Sequence, residues 1–242
     1  MSLQVLREKS EIDRARLELS RRGLSCTSSS WERILRKLGI AKGIEVGDKV
    51  KSWDVLKAVN FIEEHILKDA PILDIGAYAS ELLCALHRLD YCRLTGIDLD
   101  PRVKLMPHVG TIHYEVSDFM NAPFKSESFE VITAISVIEH GFDSQSLLSE
   151  VSRLLRPGGY FIASFDYWPE KVDTGGILLF GMNWKIFSEE EVLQFLVEAR
   201  ARNLIPCGEL ALDAQEKAIT YGEKSYTFAW LAVRKSKLEK LA

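Results

Sequence analysis

The sequence predicts a doubly wound α/β protein: a mostly parallel, seven-stranded sheet with helices on both faces and an N-terminal helical extension. Three observations predict it. From residue 52 onward, short apolar runs alternate with amphipathic stretches, the pattern of successive strand–helix–strand units. The run 129–135 is apolar almost throughout, as a central parallel strand covered on both faces must be. Successive strands also end in polar or acidic groups: Asp74, Asp98, Asp118, Ser136 with Glu139-His140, and Asp166. In an open parallel sheet these carboxyl ends border the ligand crevice.

Residues 3–20 read as a polar helix, and 21–30 as a loop with Gly23 and a Thr27-Ser28-Ser29-Ser30 cluster. Ser30 is placed to cap a short helix through Trp31, Ile34, Leu35 and Leu38, stopped by Gly39. Val55, Val59, Ile62 and Ile66 recur at helical spacing, which predicts a helix over 52–67. Strand 72–75, helix 80–89, strand 93–98, a helical piece at 101–106 and strand 111–115 follow. After strand 129–135, helix 144–155 is expected to end before the Pro157-Gly158-Gly159 break, with strand 160–165 beyond it. Ser188 and Glu191 form a capping box for a helix over 189–201. Strands 204–210 and 225–233 complete the domain.

The charge is uneven. Residues 1–50 hold 11 Lys/Arg and 7 Asp/Glu, leaving 20 and 28 of the chain's 31 and 35 for the remainder. A basic arm suits nucleic acid or anionic lipid, but Glu8, Glu11, Asp13 and Glu18 alternate with the arginines at the spacing of a solvated, ion-paired helix. The acidic body argues against a nucleic-acid substrate. No apolar run approaches the roughly 18 residues of a membrane span, and the charged N-terminus does not read as a secretory signal. Cys26, Cys84, Cys92 and Cys207 form no C-x-x-C pair, so free thiols in a reducing cytoplasm are expected.

Chemistry concentrates at Pro71-Ile72-Leu73-Asp74-Ile75-Gly76-Ala77-Tyr78-Ala79-Ser80-Glu81, an apolar strand running into an acid, one glycine and small residues. A dinucleotide site would want G-x-G-x-x-G and a P-loop G-x-x-x-x-G-K-[ST]. Neither is present. An acid two residues before the glycine suits a ligand with cationic groups and no phosphate, such as S-adenosylmethionine, which carries a sulfonium and an amino group.

Four blocks, in this order, resemble class I, Rossmann-like S-adenosylmethionine-dependent methyltransferases. They are Leu73-Asp74-Ile75-Gly76, Thr95-Gly96-Ile97-Asp98, Asp118-Phe119 with Ala122-Pro123-Phe124, and Val137-Ile138-Glu139-His140 with Glu150 to Gly159. The resemblance implies that Asp74, Ile75, Gly76, Ala77 and Tyr78 form the cofactor turn, with Asp74 near the methionyl ammonium. Asp98, about 20 residues beyond the turn, would accept both ribose hydroxyls. Leu99, Asp118 and Phe119 would line the adenine side, and Ala134 and Ile135 would offer carbonyls at the methionyl end. Ala77, Tyr78 and Ala79 depart from the family's later glycines. Tyr78 could lie over the ligand or point into helix packing.

The expected organisation is an N-terminal helical extension or lid over 1–50 and an S-adenosylmethionine-binding domain over 51–236, with a substrate-loop insertion at 166–187. The insertion carries Tyr167, Trp168, Phe180 and Trp184 around Gly175-Gly176, either as a lid or as aromatics packed on the sheet edge. Trp31 and Trp53 are placed to close the other side. The expected activity is methylation of a small molecule, with oxygen in a glycan precursor or secondary metabolite as the acceptor. A protein or RNA target and a non-catalytic S-adenosylmethionine-binding module are the alternatives. His140, then Asp166, then Glu139 are the candidate bases. A structural role for the Glu139-His140 pair, or a metal site with Asp143, competes with this, and no metal is expected.

Overall fold

The computed structural model describes residues 2–27, 38 and 44–237. The helix expected after Ser30, with Trp31, lies outside these residues apart from Leu38. In chain order the strands are β1 (Leu3–Val5), β2 (Ile72–Ile75), β3 (Leu94–Asp98), β4 (His113–Val116), β5 (Phe129–Ile135), β6 (Leu155–Tyr167), β7 (Leu178–Leu179), β8 (Met182–Asn183), β9 (Leu204–Pro206), β10 (Ile219–Tyr221) and β11 (Lys224–Lys235). The helices are α1 (Ser10–Arg21), α2 (Ser52–His65), α3 (Leu82–Arg88), α4 (Ser144–Leu154) and α5 (Glu189–Arg200).

Nine strands share one sheet along the path β1-β11-β6-β5-β2-β3-β4, with β9 and β10 also paired to β11. From β6 to β4 every pairing is parallel, and β11 runs antiparallel to β6. The chain leaves β2 toward β3 and β4, then returns to the other side of β2 as β5. That reversal puts the topological switch point between β2 and β5, where the connections leaving the two strands run to opposite sides and a ligand crevice is expected.

Amphipathic helices cover both faces. Ile12, Ala15 and Leu19 of α1, Val55, Val59 and Ile62 of α2, and Leu82, Leu83 and Leu86 of α3 bury against one face. Leu147, Leu148 and Val151 of α4 and Val192, Phe195 and Leu196 of α5 bury against the other. Burying each of the larger side chains among these contributes roughly 1.5–3 kcal/mol. The Ser188–Glu191 capping box is present at the start of α5, with both reciprocal hydrogen bonds made.

The two strands of this nine-stranded sheet beyond the predicted seven are β1 and β10. Residues 3–5 form an edge strand instead of the first turn of a helix, because Leu3 and Val5 alternate with Gln4 and bury against β11. Three residues of period-2 pattern are masked by the longer helical pattern that follows. The predicted break at Pro157-Gly158-Gly159 lies inside β6, which runs through it as a bulge between Phe129 and Val131 of β5. Gly159 permits this: a Cβ there would sit 2.7 Å from the Glu130 carbonyl oxygen.

Candidate active site

The turn after β2 is built by backbone constraints. The amides of Gly76 and Ala77 both donate to the Ile97 carbonyl, at 3.0 and 3.1 Å, folding the turn onto the end of β3. Gly76 has φ +70°, and a Cβ on it would lie 2.5 Å from Val137 Cγ2. Glycine is required there by both conformation and space. Ala79 also takes a left-handed conformation, at φ +61°, at a penalty of about 1–2 kcal/mol for a residue with a Cβ. The turn thus keeps the shape a second glycine would give without having one.

Three sequence-predicted acids stand at this edge. Parallel register places Asp74 of β2 beside Thr133 of β5, whose hydroxyl donates to Asp74 Oδ1 at 2.6 Å. Asp74 Oδ2 is buried with no partner. Burial pushes the Asp74 carboxyl up to about 7, with the Thr133 hydrogen bond and the nearby Ser80 hydroxyl pulling it down. Asp98, at the end of β3, is only partly buried. Its Oδ2 accepts the Tyr78 amide at 2.9 Å and its Oδ1 the Asp100 amide at 2.8 Å, tying the two turns together. Asp118 is exposed and accepts the Met120 amide at 2.9 Å, capping a short 3₁₀ turn over Phe119–Asn121.

The other predicted positions divide by what they present. Ile75, Ala77, Phe119 and Ala134 are buried in the core, and the Phe119 ring packs there. Ile135 is partly buried and Leu99 is exposed. Tyr78 packs partly against the core with the Arg102 guanidinium 4.5 Å from its ring centroid. Arg102 is also held bidentately by Asp100.

The remaining predicted residues meet at the ends of β5 and β6. Ser136 follows β5 with φ +52°, a strained conformation for a non-glycine residue. Its hydroxyl donates to Asp54 Oδ2 at 3.4 Å. Glu139 and Asp166 are buried beside this, and Trp184 Nε1 donates to Asp166 Oδ2 at 2.7 Å. Lys51 Nζ lies 3.9 Å from Asp166 Oδ1 and 3.9 Å from the Phe228 ring centroid. Asp54 Oδ1, Glu139 Oε2 and His140 Nδ1 are buried without hydrogen-bond partners.

Electrostatics there are dominated by desolvation. Burial raises Asp54 to about 7, with Lys51 pulling it down. Glu139 is pushed well above the usual carboxylate range by burial and by the Asp166 charge. Asp166 is raised by burial, with Lys51, Trp184 and Tyr226 opposing. Burial and then Lys51 lower His140 to about 4, so its imidazole is neutral at pH 7.

Asp143 does not join Glu139 and His140. It is exposed and caps α4, its Oδ2 accepting the Ser146 amide at 2.7 Å. The 166–187 connection folds in part as the β7–β8 hairpin. Its tip residue Phe180 is 86% exposed and meets the His140 ring edge-on at 5.3 Å. Trp184 is buried against Asp166 and Tyr226. Sequence reasoning missed Lys51 and Asp54. The available signal was Asp54 itself, an acid on the same helical stripe as Ala58 and Ile62.

Residues 73–163 match the family model described as a methyltransferase domain. The O-methyltransferase cnsE of Penicillium expansum is 27% identical over 100 residues, which cover 38% of this chain and 36% of that protein. EEF1A lysine methyltransferase 2 of Danio rerio is 26% identical over 152 residues, covering 52% of this chain and 63% of that protein. The chain spans between 27% and 36% of the length of the first three curated relatives it matches. Among solved structures, geranyl diphosphate C-methyltransferase from Streptomyces coelicolor, in complex with Mg2+, geranyl diphosphate and S-adenosyl-L-homocysteine, superposes with a TM-score of 0.58 at 14% identity. That alignment covers 86% of this chain and 99% of the other.

The chain has the class I, Rossmann-like methyltransferase fold, and within it residues 73–163 match the methyltransferase-domain family model.

Proposed function

We propose that this chain is an S-adenosylmethionine-dependent methyltransferase acting on a small molecule, with an oxygen of a glycan precursor or secondary metabolite as acceptor. The observation that carries the cofactor reading is the set of acids at one sheet edge: Asp74, with a buried unpartnered oxygen, beside Asp98 and Asp118 around the Gly76 turn. These groups suit a cationic ligand with ribose hydroxyls. Arg102, stacked on Tyr78, is taken by Asp100 and is not offered to a phosphate. The cofactor, when bound, supplies a methyl group on a positively charged sulfur.

In this reading Asp74 Oδ2 accepts from the methionyl ammonium, and the two lone-pair positions of Asp98 left beyond the Tyr78 and Asp100 amides accept from the ribose hydroxyls. Asp118, Leu99 and the Phe119 backbone border the adenine, while the backbone of Ile75, Gly76, Ala77, Tyr78, Ala134 and Ile135 shapes the methionyl end. His140, Asp166 and Glu139 are the groups that orient the acceptor and take its proton. A neutral imidazole can accept a proton, and a carboxyl held near neutrality by burial is better matched to doing so at pH 7. Asp54 therefore joins the candidates. The hairpin carrying Phe180 and the buried Trp184 form the wall that selects the acceptor and excludes water, with 166–187 as the substrate insertion of the 51–236 domain.

The small-molecule reading draws on the O-methyltransferase relative and on the aromatic acceptor side, where the buried Trp184 packs edge-on with Tyr226. It is tested by incubating the protein with methyl-labelled S-adenosylmethionine and a cell extract. Label in the low-molecular-mass fraction is expected. Label confined to precipitated protein or RNA would overturn it.

A further inference from the structure

Arg16 lies in the N-terminal arm, far in sequence from every motif, yet its guanidinium is almost buried and each of its five N–H donors is used. Nη2 donates to Glu81 Oε1 at 2.5 Å and Nη1 to Glu81 Oε2 at 3.1 Å, a fork onto the last residue of the cofactor turn. Nη1 also donates to Ser25 Oγ at 2.9 Å, Nη2 to the Asp48 carbonyl at 3.2 Å, and Nε to Ser52 Oγ at 2.9 Å. Glu81 is 2% exposed and takes a further hydrogen bond from the Cys26 amide at 3.1 Å. One side chain thus joins helix α1, the segments around Ser25 and Asp48, the cofactor turn and the first residue of α2.

A second, independent contact converges on the same turn. The Gly47 amide donates to the carbonyl of Ala79, the left-handed residue, at 2.8 Å. Gly47 has φ +78°, and a Cβ there would lie 2.8 Å from Thr27 Cγ2 and 3.0 Å from the Glu81 carboxylate. The backbone has been brought as close to the Arg16–Glu81 pair as glycine allows. At the other end of the junction, Ser52 stands next to Lys51 and two residues before Asp54, both in the acceptor-side cluster.

We propose that Arg16 is a positioning residue that locks the cofactor turn and the start of helix α2 into one relative geometry, so that the cofactor half and the acceptor half of the site are set together. The consequence for cofactor affinity rests on the S-adenosylmethionine reading of the turn. A desolvated fork is suited to this because removing one partner leaves the other charge buried and unpaired, which makes alternative geometries unfavourable. It also assigns the basic arm a task inside the protein, with Arg16 withdrawn from any external anion.

Arg16→Met and Arg16→Lys test the proposal, with Arg22→Met as control. Arg22 is on the same helical arm and pairs with Asn60 and Glu63 of α2, away from the turn. Two readouts are needed: calorimetric affinity for S-adenosylhomocysteine, and amide hydrogen exchange at Gly47 and Tyr78 in the ligand-free protein. If Arg16→Met drops the competent turn to one-tenth of its population, Kd rises about tenfold and exchange at both amides rises to near the rate of unprotected amides. Arg16→Lys, which keeps the charge without the fork, gives a smaller change in the same direction. It also decides the matter if the methionine variant does not fold. Arg22→Met changes neither readout, even where it lowers Tm. Unchanged exchange in a folded Arg16 variant would overturn the proposal, as would an equal effect from Arg22→Met. Failure of the unmutated protein to bind S-adenosylhomocysteine would instead remove the cofactor reading, with exchange still reporting on the lock.

Discussion

Asp98→Ala is the perturbation whose size the structure fixes best. A carboxylate offers about four lone-pair positions. Two are used, by the Tyr78 amide at 2.9 Å and the Asp100 amide at 2.8 Å. Two remain for ribose hydroxyls. Hydrogen bonds to a charged group contribute about 1.5–3 kcal/mol each, and the lower figure applies at a site that is only partly buried. Their joint loss is therefore about 3 kcal/mol, or roughly a hundredfold in Kd. The assay is calorimetric titration with S-adenosylhomocysteine, repeated with its 2′-deoxy analogue. The wild-type protein should lose affinity when the hydroxyl is removed. The alanine variant should lose nothing further, which separates the ribose contact from any loosening of the Tyr78 turn. An unchanged Kd in Asp98→Ala, or an undiminished penalty for the deoxy analogue in that variant, would refute the assignment of Asp98 to the ribose.

Three further outcomes follow from the electrostatics. Asp74, held near 7 by burial in the ligand-free protein, must ionise to receive an ammonium group. Cofactor binding should therefore tighten as pH rises from about 6 to 8 and release a proton, seen as a dependence of the binding enthalpy on buffer ionisation. Asp54 is raised on folding from 3.8 to about 7, so the native state binds the extra proton between those values and the stability this confers is lost as pH rises through 7. Asp54→Asn should raise the urea midpoint at pH 8 and raise it by roughly a third as much at pH 5, where only part of the loss has accumulated. A uniform shift at both would show that packing, not ionisation, is responsible. His140→Ala should lower turnover about a hundredfold, the low end of general-base contributions, while the Kd for S-adenosylhomocysteine stays within about twofold. A matching loss of cofactor affinity would move His140 out of the acceptor half.

Much of the fold was legible because its signals are local and strong. The β5 run, the Ser188–Glu191 capping box and the acids at strand ends each follow from a few adjacent residues, and the structure bears them out in position. Long-range pairing was not legible. β1 is three residues held by the edge of β11, more than 220 positions away, and by a bridge from Leu3 to Leu210, and β6 passes through a proline–glycine break because β5 pairs with it on both sides of the break, at Leu155 and again from Tyr160. The site divides in the same way. Asp74, Asp98, Asp118, Glu139, His140 and Asp166 were visible as strand-end residues. Lys51, Asp54 and Arg16 were not, because they reach the site from helices or turns whose sequence reads as ordinary amphipathic or solvated structure. Asp54 and Arg16 become noticeable only when their surroundings show a carboxyl and a guanidinium out of water.

The central claim is that the crevice between β2 and β5 is built for S-adenosylmethionine. It is tested most directly by calorimetric titration of the purified chain with S-adenosylmethionine at pH 8. The account predicts one-to-one binding with Kd in the micromolar range, abolished or weakened roughly a hundredfold by Asp98→Ala. The absence of any binding heat or thermal stabilisation at high micromolar ligand, in protein shown to be folded, would contradict it.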